Sequence, residues 1–218
     1  LVAAILFTIT TLFNVEFSDS FYSHFYTSLG IFTQPLFFLV FQQRQAKSEM
    51  TLNRIFEILV NFVLAPALMI FTVLLYAYVV QIIFEGVLPK GMLANITLPY
   101  LLGGLGVYAL RSICAKARWE TFFKYYPYLA IVPIVLLWLA IDLRISAYAW
   151  TEQRIYLVAL ATAITIAYAI LTVPKIRQYR LISAVVILAI FAMTWVVKPQ
   201  EIAYQSQTAR FEQLLKKL

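Results

Sequence analysis

The sequence predicts an all-α fold: a polytopic transmembrane helix bundle of about seven membrane segments, with short loops and an interfacial helix. Of the 218 residues, 63% are hydrophobic and only 12% are charged, whereas soluble domains carry ~25% charged residues. Long apolar runs separated by short polar loops are typical of chains whose solvent is lipid. The Lys and Arg residues also concentrate in alternate loops, as the positive-inside rule requires.

Seven apolar runs define the predicted spans. The first is too short to cross a bilayer alone, since a span needs ~20 residues, and we interpret it as the remainder of a span that begins upstream. The third is the longest and contains Pro66, where we expect a tilt or a kink. The transmembrane domain covers residues 1–197, with spans near 1–13, 25–41, 55–84, 92–110, 128–141, 155–173 and 181–197.

Two further segments are amphipathic. Residues 111–126 alternate basic and aromatic side chains at helical spacing, which indicates a helix lying in the membrane interface. Residues 198–218 form an amphipathic tail, with Phe211, Leu214, Leu215 and Leu218 at helical spacing, and we expect this tail to lead into a downstream segment.

The basic residues predict the orientation. The three loops on one side hold ten Lys and Arg residues, and the three loops on the other side hold three. Basic residues in short loops favour the cytoplasm. We therefore expect a multi-pass protein of the bacterial cytoplasmic (inner) membrane, with the N-terminus of this chain cytoplasmic and its C-terminus extracytoplasmic.

Composition excludes several functions. The net charge of +7 is dispersed among loops and forms no continuous basic stripe, which argues against nucleic-acid binding. Cys114 and His24 are each the single residue of their type, so the sequence contains no internal disulfide and no Cys-based or multi-His metal centre. No catalytic constellation and no cofactor motif is recognisable. The expected partner is membrane lipid, with other membrane proteins or a second copy of the chain as further partners.

A polar turn between the fifth and sixth spans is the first candidate site. One interpretation is structural, with Thr151 capping the sixth helix and Glu152 favouring its positive end. The other is a charge-compensated cluster at the outer rim, in which Asp142 and Glu152 each pair with Arg144 or Arg154. The candidate outer-rim residues are Asp142, Arg144, Tyr148, Thr151, Glu152, Arg154 and Tyr156.

Two other groups stand out. Arg54, Glu57 and Asn61 share one helical face at the inner end of the third span. Glu57 is interpreted either as an interfacial acid paired with Arg54 or as a proton or cation site. In the fourth span, the small residues Gly103, Gly104 and Gly106 predict close helix packing, with Gly103 and Gly106 against a neighbouring helix.

At these residues the chain resembles the bacterial membrane family catalogued as domain of unknown function 4153 (DUF4153). The resemblance rests on separated pieces that occur in the family's order. They are Pro35–Leu39, Pro66 leading into Leu74–Tyr78, Leu88–Gly91, Tyr148–Arg154, and Ser206 with Arg210 and Leu214–Leu215. The resemblance implies that the chain is the later part of a longer protein.

The chain departs from the family pattern at two positions in the polar turn. Ala149 stands where Gly is usual, and Ile155 intervenes before Tyr156. The family brings no established activity, so three hypotheses stay open. They are a membrane anchor or envelope-associated scaffold, a transporter, and a membrane-embedded enzyme acting on a lipid-linked substrate at the outer face.

Overall fold

The computed structural model describes residues 2–45, 57–86, 93–112, 114, 118–173 and 179–215, and in these residues it contains helices and no strand. The all-α prediction is therefore confirmed. The helices are α1 (Val2–Phe13), α2 (Asp19–Gln45), α3 (Ala65–Glu85), α4 (Leu93–Arg111), α5 (Glu120–Leu129), α6 (Ile131–Tyr148), α7 (Glu152–Thr172), α8 (Tyr179–Phe191) and α9 (Pro199–Leu215). Two π-helical turns, Val60–Leu64 and Ala192–Val196, precede α3 and follow α8.

Four helical segments are long and apolar enough to cross a membrane. They are Glu57–Glu85, Leu93–Arg111, Glu120–Tyr148 and Glu152–Thr172. A fifth candidate is the pair Arg180–Trp195 and Pro199–Glu212, which bends by 62°. Each of the seven predicted spans coincides with a helix, but the count of seven is not confirmed. The first run is a short apolar helix, and α2 is not among the candidate spans.

Part of the segment predicted as an interfacial helix is a helix that continues into the next span. From Glu120 onward it is continuous with α6 through Ala130, so that a single helical segment extends from Glu120 to Tyr148. Phe123 and Tyr126 are fully buried within the bundle. The aromatic side chains that predict an interfacial helix therefore lie partly in a packing face. Helical periodicity does not distinguish the two cases, because it is the same for helix–helix contact and for binding at the membrane interface.

Helix α4 lies at the centre of the bundle and packs against α3, α6 and α7. The core side chains include Leu75, Leu101, Leu137 and Tyr168. The outward faces remain strongly apolar, as at Val73, Ile83, Phe84 and Ile187. A bundle that is apolar inside and outside suits a hydrocarbon solvent, because lipid gives no reason to keep the exterior polar.

Candidate functional site

The turn between α6 and α7 (residues 147–151, here the rim turn) contains a strained residue. Helix α6 ends at Tyr148, and Ala149 has φ +58° and ψ −174°, a backbone conformation that is essentially restricted to glycine. The N–H of Ala149 still donates to the Ile145 carbonyl at 2.8 Å. Thr151, the residue immediately before α7, is extended. Ala149 thus occupies a position whose backbone conformation favours glycine.

Helix α9 holds the rim turn through side chains. Gln207 Nε2 donates to the carbonyls of Tyr148 at 3.3 Å and Trp150 at 2.9 Å. Arg210 Nη2 donates to the Ala147 carbonyl at 2.6 Å. The last carbonyls of a helix have no partner within the helix. The positive guanidinium there also interacts favourably with the negative end of the helix dipole. These donors therefore stabilise the end of α6.

Contacts of Ser206 and Arg154 complete this arrangement. The N–H of Trp150 donates to Ser206 Oγ at 3.2 Å. Arg154 Nη1 donates to the carbonyls of Tyr148 and Ala149, and its guanidinium carbon lies 5.4 Å from the centre of the Tyr148 ring. The contact of Ser206, Gln207 and Arg210 with residues 147–150 is called the rim contact below.

The predicted charge cluster does not form. Among the residues that the structure describes, Lys198 and Glu201 form an ion pair at 2.9 Å, whereas Asp142 and Glu152 pair with neither Arg144 nor Arg154. The pairing prediction was wrong because the backbone carbonyls of the rim turn, which a sequence pattern does not display, are closer acceptors for Arg154. Asp142 and Glu152 are exposed and keep their hydration.

Two further outer-rim predictions have mixed outcomes. Thr151 occupies the N-cap position of α7, but its hydroxyl makes no cap hydrogen bond. Its carbonyl instead accepts the N–H groups of Arg154 and Ile155 at 3.0 and 3.1 Å. Tyr156 is half exposed and faces the lipid-side groove between α7 and α8. Thr151 thus contributes to the helix start through its backbone, and the Tyr156 side chain contributes to the outer surface. Neither joins a polar cluster.

At the opposite end of the bundle, Asn61 is buried in the first π-helical turn. Its Oδ1 accepts the Arg118 backbone N–H at 3.1 Å, and its carbonyl accepts the Trp119 Nε1–H at 2.8 Å. The carbonyl is available because the Ala65 N–H donates to Val60 instead and Pro66 has no N–H. Asn61 therefore fastens the segment before α5 to the start of the third span.

Of the remaining inner-face residues, Arg54 lies outside the described part of the chain, and Glu57 begins the helix that carries Asn61. Cys114 lies beyond the end of α4. Burial raises the pKa of the Cys114 thiol, the charge of Glu57 raises it further, and Arg111 lowers it. A thiol with a raised pKa is a weak nucleophile at neutral pH, so this environment does not activate Cys114.

The glycines of α4 differ in their surroundings. A Cβ added to Gly104 would lie 1.6 Å from Tyr126 Oη and 2.8 Å from Tyr168 Oη, whereas one added to Gly103 or Gly106 meets nothing within 4 Å. Close packing is thus found at Gly104, and the expectation that Gly103 and Gly106 lie against a helix was wrong. Gly104 is turned about 100° around the helix from Gly103, so it faces the bundle interior while Gly103 and Gly106 face open space.

A buried hydroxyl network surrounds Gly104. Tyr126 Oη and Tyr168 Oη lie 3.0 Å apart, and Tyr168 Oη donates to the Leu101 carbonyl at 2.9 Å. Nearby, Tyr100 Oη lies 2.8 Å from Thr72 Oγ1. These groups join α3, α4, α5 and α7 through polar contacts in the apolar core. They are neutral and mutually satisfied, which is typical of structural hydrogen bonds between membrane helices.

Apolar grooves open on the surface of the part of the bundle that the structure describes. One, of about 380 Å³, lies between α1, α3 and α4. Another, of about 390 Å³, lies between α4, α7 and α8. In the described residues, no group of three or more His, Cys, Asp or Glu side chains is placed to hold a metal ion.

Sequence reasoning missed the residues that make the long-range polar contacts. The tail was noted for its apolar spacing, while Gln207 was not singled out, and Trp119 was interpreted as an interfacial aromatic. The available signal was the position of Pro66, since a proline leaves a carbonyl that needs another donor. For the rim turn the signal was the glycine-favouring position now occupied by Ala149.

Comparisons with known proteins found matches by sequence and none by solved structure. A family model described as domain of unknown function (DUF4153) matches residues 2–216. The uncharacterized protein PM1469 of Pasteurella multocida (strain Pm70) is 39% identical over 189 residues, which are 86% of this chain and 33% of that protein. The chain thus spans about a third of the length of that relative. No solved structure matches the chain.

Proposed function

We propose a membrane-anchoring or scaffolding role for this chain, which belongs to the DUF4153 family of unknown function. The observation that carries the proposal is the rim contact. Four hydrogen bonds tie the polar helix α9 to the end of a transmembrane helix: Gln207 and Arg210 donate three of them, and Ser206 accepts the fourth from the Trp150 N–H. An arrangement of this kind holds the polar helix α9 at a fixed place on the bundle.

Burial favours this role over transport. The buried polar side chains of the described residues, tyrosines aside, are Thr8, Asn61, Thr72 and Thr97. Transporters usually place ionisable or unwound polar groups near the bilayer midplane, where substrates and coupling ions bind. Threonines whose hydroxyls bond to the preceding helical turn, such as Thr72 and Thr97, are typical of a packed helix interior.

Exchange of backbone amide hydrogens tests the scaffold role. The protein is reconstituted in lipid nanodiscs, and the exchange rates of the α9 amides are compared with those of Gln207→Ala with Arg210→Ala. Together these side chains donate three hydrogen bonds, one of them from a charged group, so the local stability of α9 should fall by ~2–4 kcal/mol. Gln205→Ala is the matched control, since Gln205 is exposed on the same helix.

Two results would contradict the proposal. Unchanged α9 exchange in the double variant would mean that the rim contact does not position this helix. Solute or proton flux through proteoliposomes that depends on Glu57 would support the transporter hypothesis in place of the anchor. Retention of the protein in the membrane after alkaline extraction is expected for every variant.

The orientation belongs to the same proposal, with α9 on the extracytoplasmic side of a bacterial inner membrane. The support is the bias of Lys and Arg toward alternate loops. Cysteines placed at Ser18, Gln45 or Gln207 in a Cys114-free chain test it. A membrane-impermeant reagent should label positions 18 and 207 in intact cells. Labelling at position 45 would reverse the orientation.

A further inference from the structure

The groove between α1, α3 and α4 has the dimensions of a lipid chain. Phe7 and Phe71 line two of its walls, and the third wall runs along α4 from Asn95 through Gly103 to Val107. That stretch of α4 is about 18 Å long at ~1.5 Å per residue, which exceeds the ~15 Å half-thickness of a hydrocarbon core. The volume of the groove is about 380 Å³, enough for an apolar chain within one leaflet.

Gly103 keeps this groove open. A Cβ at this position would meet nothing within 4 Å, so the absence of a side chain serves no helix contact and instead leaves space along the wall. Gly106 also meets nothing within 4 Å, but it does not line the groove. The two glycines therefore form a matched pair for experiment.

Arg111 lies one helical turn beyond Val107 on the same face of α4. Helix α4 has 19 residues and is ~28 Å long, close to the ~30 Å hydrocarbon thickness. Arg111 at its last turn is thus at headgroup depth when Leu93 lies near the opposite interface. The guanidinium carbon of Arg111 is 4.9 Å from the centre of the Phe123 ring, which holds the side chain in place.

The Nε of Arg111 is buried and has no hydrogen-bond partner among the residues that the structure describes. A buried donor without an acceptor costs ~1–3 kcal/mol. A phosphate oxygen is the acceptor best suited to the planar fork of an arginine. The unsatisfied group and the groove are at adjacent positions on one helix, so a single ligand with an anionic head and an apolar chain serves both.

The local charge favours such a ligand. Residues 111–126 carry four basic side chains and one acidic side chain, Glu120. Glu57 is the acidic side chain that faces this region from the neighbouring span, and its charge acts on Cys114. Basic residues at a membrane surface attract anionic lipid by ~1 kcal/mol each. The balance at this end of the bundle is basic.

From these observations we infer that the groove binds one acyl chain of an anionic glycerophospholipid, whose phosphate accepts hydrogen bonds from the Arg111 guanidinium. The site is independent of the rim contact, which lies at the other end of the spans. It gives the bundle a specific lipid partner, in addition to the bulk lipid that solvates any membrane protein.

Native mass spectrometry of the delipidated full chain tests this inference. Phosphatidylglycerol and phosphatidylcholine with identical acyl chains are titrated in turn. The first phosphatidylglycerol should bind about tenfold more tightly, a difference of ~1.4 kcal/mol. Arg111→Gln should abolish this preference while weak phosphatidylcholine binding persists, and Lys198→Gln, at an exposed position outside this basic segment, should retain it. Gly103→Leu should weaken binding of both lipids, whereas Gly106→Leu should leave both unchanged.

Several outcomes would overturn the inference. They are equal affinity for the two lipids, a preference that survives Arg111→Gln, and unaltered binding in Gly103→Leu. Binding of inorganic phosphate that competes fully with phosphatidylglycerol would assign the site to a free anion. A doubled mass that excludes lipid would assign the groove to contact between two copies. If Arg111→Gln does not fold, Arg111→Lys replaces it and should reduce the preference, because an ammonium lacks the guanidinium fork.

Discussion

Replacing Gly104 by Ala perturbs the most tightly packed point of the bundle. The added Cβ would lie 1.6 Å from Tyr126 Oη, 2.6 Å from Tyr126 Cζ and 2.8 Å from Tyr168 Oη. Tyr126 and Tyr168 are 0% and 1% exposed, so neither ring can move outward without displacing its neighbours. The tyrosine hydroxyls must shift, and their hydrogen bonds must change with them.

The expected cost follows from three contributions. Forcing a methyl group into a filled core costs ~1–3 kcal/mol. Disturbing the Tyr126–Tyr168 hydrogen bond of 3.0 Å and the bond from Tyr168 to the Leu101 carbonyl costs about 1 kcal/mol each. The higher helix propensity of Ala relative to Gly offsets about 1 kcal/mol. We therefore expect Gly104→Ala to lower the free energy of unfolding by about 2–4 kcal/mol.

Unfolding in one detergent, followed by circular dichroism, measures this difference. Gly106→Ala is the matched control and should be neutral or more stable by up to ~1 kcal/mol, since the new methyl meets open space. Adding Tyr126→Phe to Gly104→Ala should recover part of the loss, because the nearest atom is removed while the ring carbon remains at 2.6 Å. Equal stability of Gly104→Ala and Gly106→Ala would refute the packing described above.

Three further predictions concern the polar contacts at the two ends of the bundle. Trp119→Phe removes the indole donor to a buried carbonyl and should cost ~1–3 kcal/mol in thermal unfolding; Trp195→Phe, at a 76% exposed position, is the control and should be nearly neutral. Ala149→Gly relieves a backbone strained at φ +58° by ~1–3 kcal/mol, so it should raise the midpoint temperature, and a lower midpoint would contradict this. Arg154→Ala should destabilise more than Glu152→Ala, and exchanging the two residues should be no better tolerated than Arg154→Ala, because no ion pair joins them. A stability restored by the exchange would show that they do interact.

Much of the helical architecture could be predicted from the sequence. The apolar runs give the positions of the helices, because in lipid every backbone polar group must be satisfied within a helix. The third span and its irregularity near Pro66 were expected, and the structure has a π-helical turn at that point. Whether a run is a span on its own was harder to predict, as α1 shows, because span length depends on packing as well as on hydropathy.

The candidate site was less predictable for a physical reason. Periodicity indicates which side chains share a helix face, but not which backbone carbonyls lack a partner. Arg154 was therefore assigned to carboxylates, while the structure places it against carbonyls. Gln207 and Arg210 reach the rim turn across more than fifty residues of sequence, a distance over which no local pattern is informative. Only the geometry of the bend between α8 and α9 brings them there.

The aromatic side chains acquire a second role from the prolines. Pro66 leaves the Asn61 carbonyl without its helical donor, and Trp119 Nε1 supplies one at 2.8 Å. Pro133 likewise leaves the Leu129 carbonyl without its helical donor.

Tyr76 Oη donates to that Leu129 carbonyl at 3.1 Å. Tyr128 Oη does the same for the Thr172 carbonyl at the end of α7, also at 3.1 Å. In hydrocarbon, where no water can take the place of the missing donor, an unsatisfied carbonyl would cost several kcal/mol. Tyr and Trp carry a donor on a large apolar ring, so they reach such a carbonyl without bringing a charge into the bilayer. The 16% aromatic content therefore reflects, in part, the cost of breaking helices inside lipid, and each aromatic donor fixes the position of one helix against its neighbour.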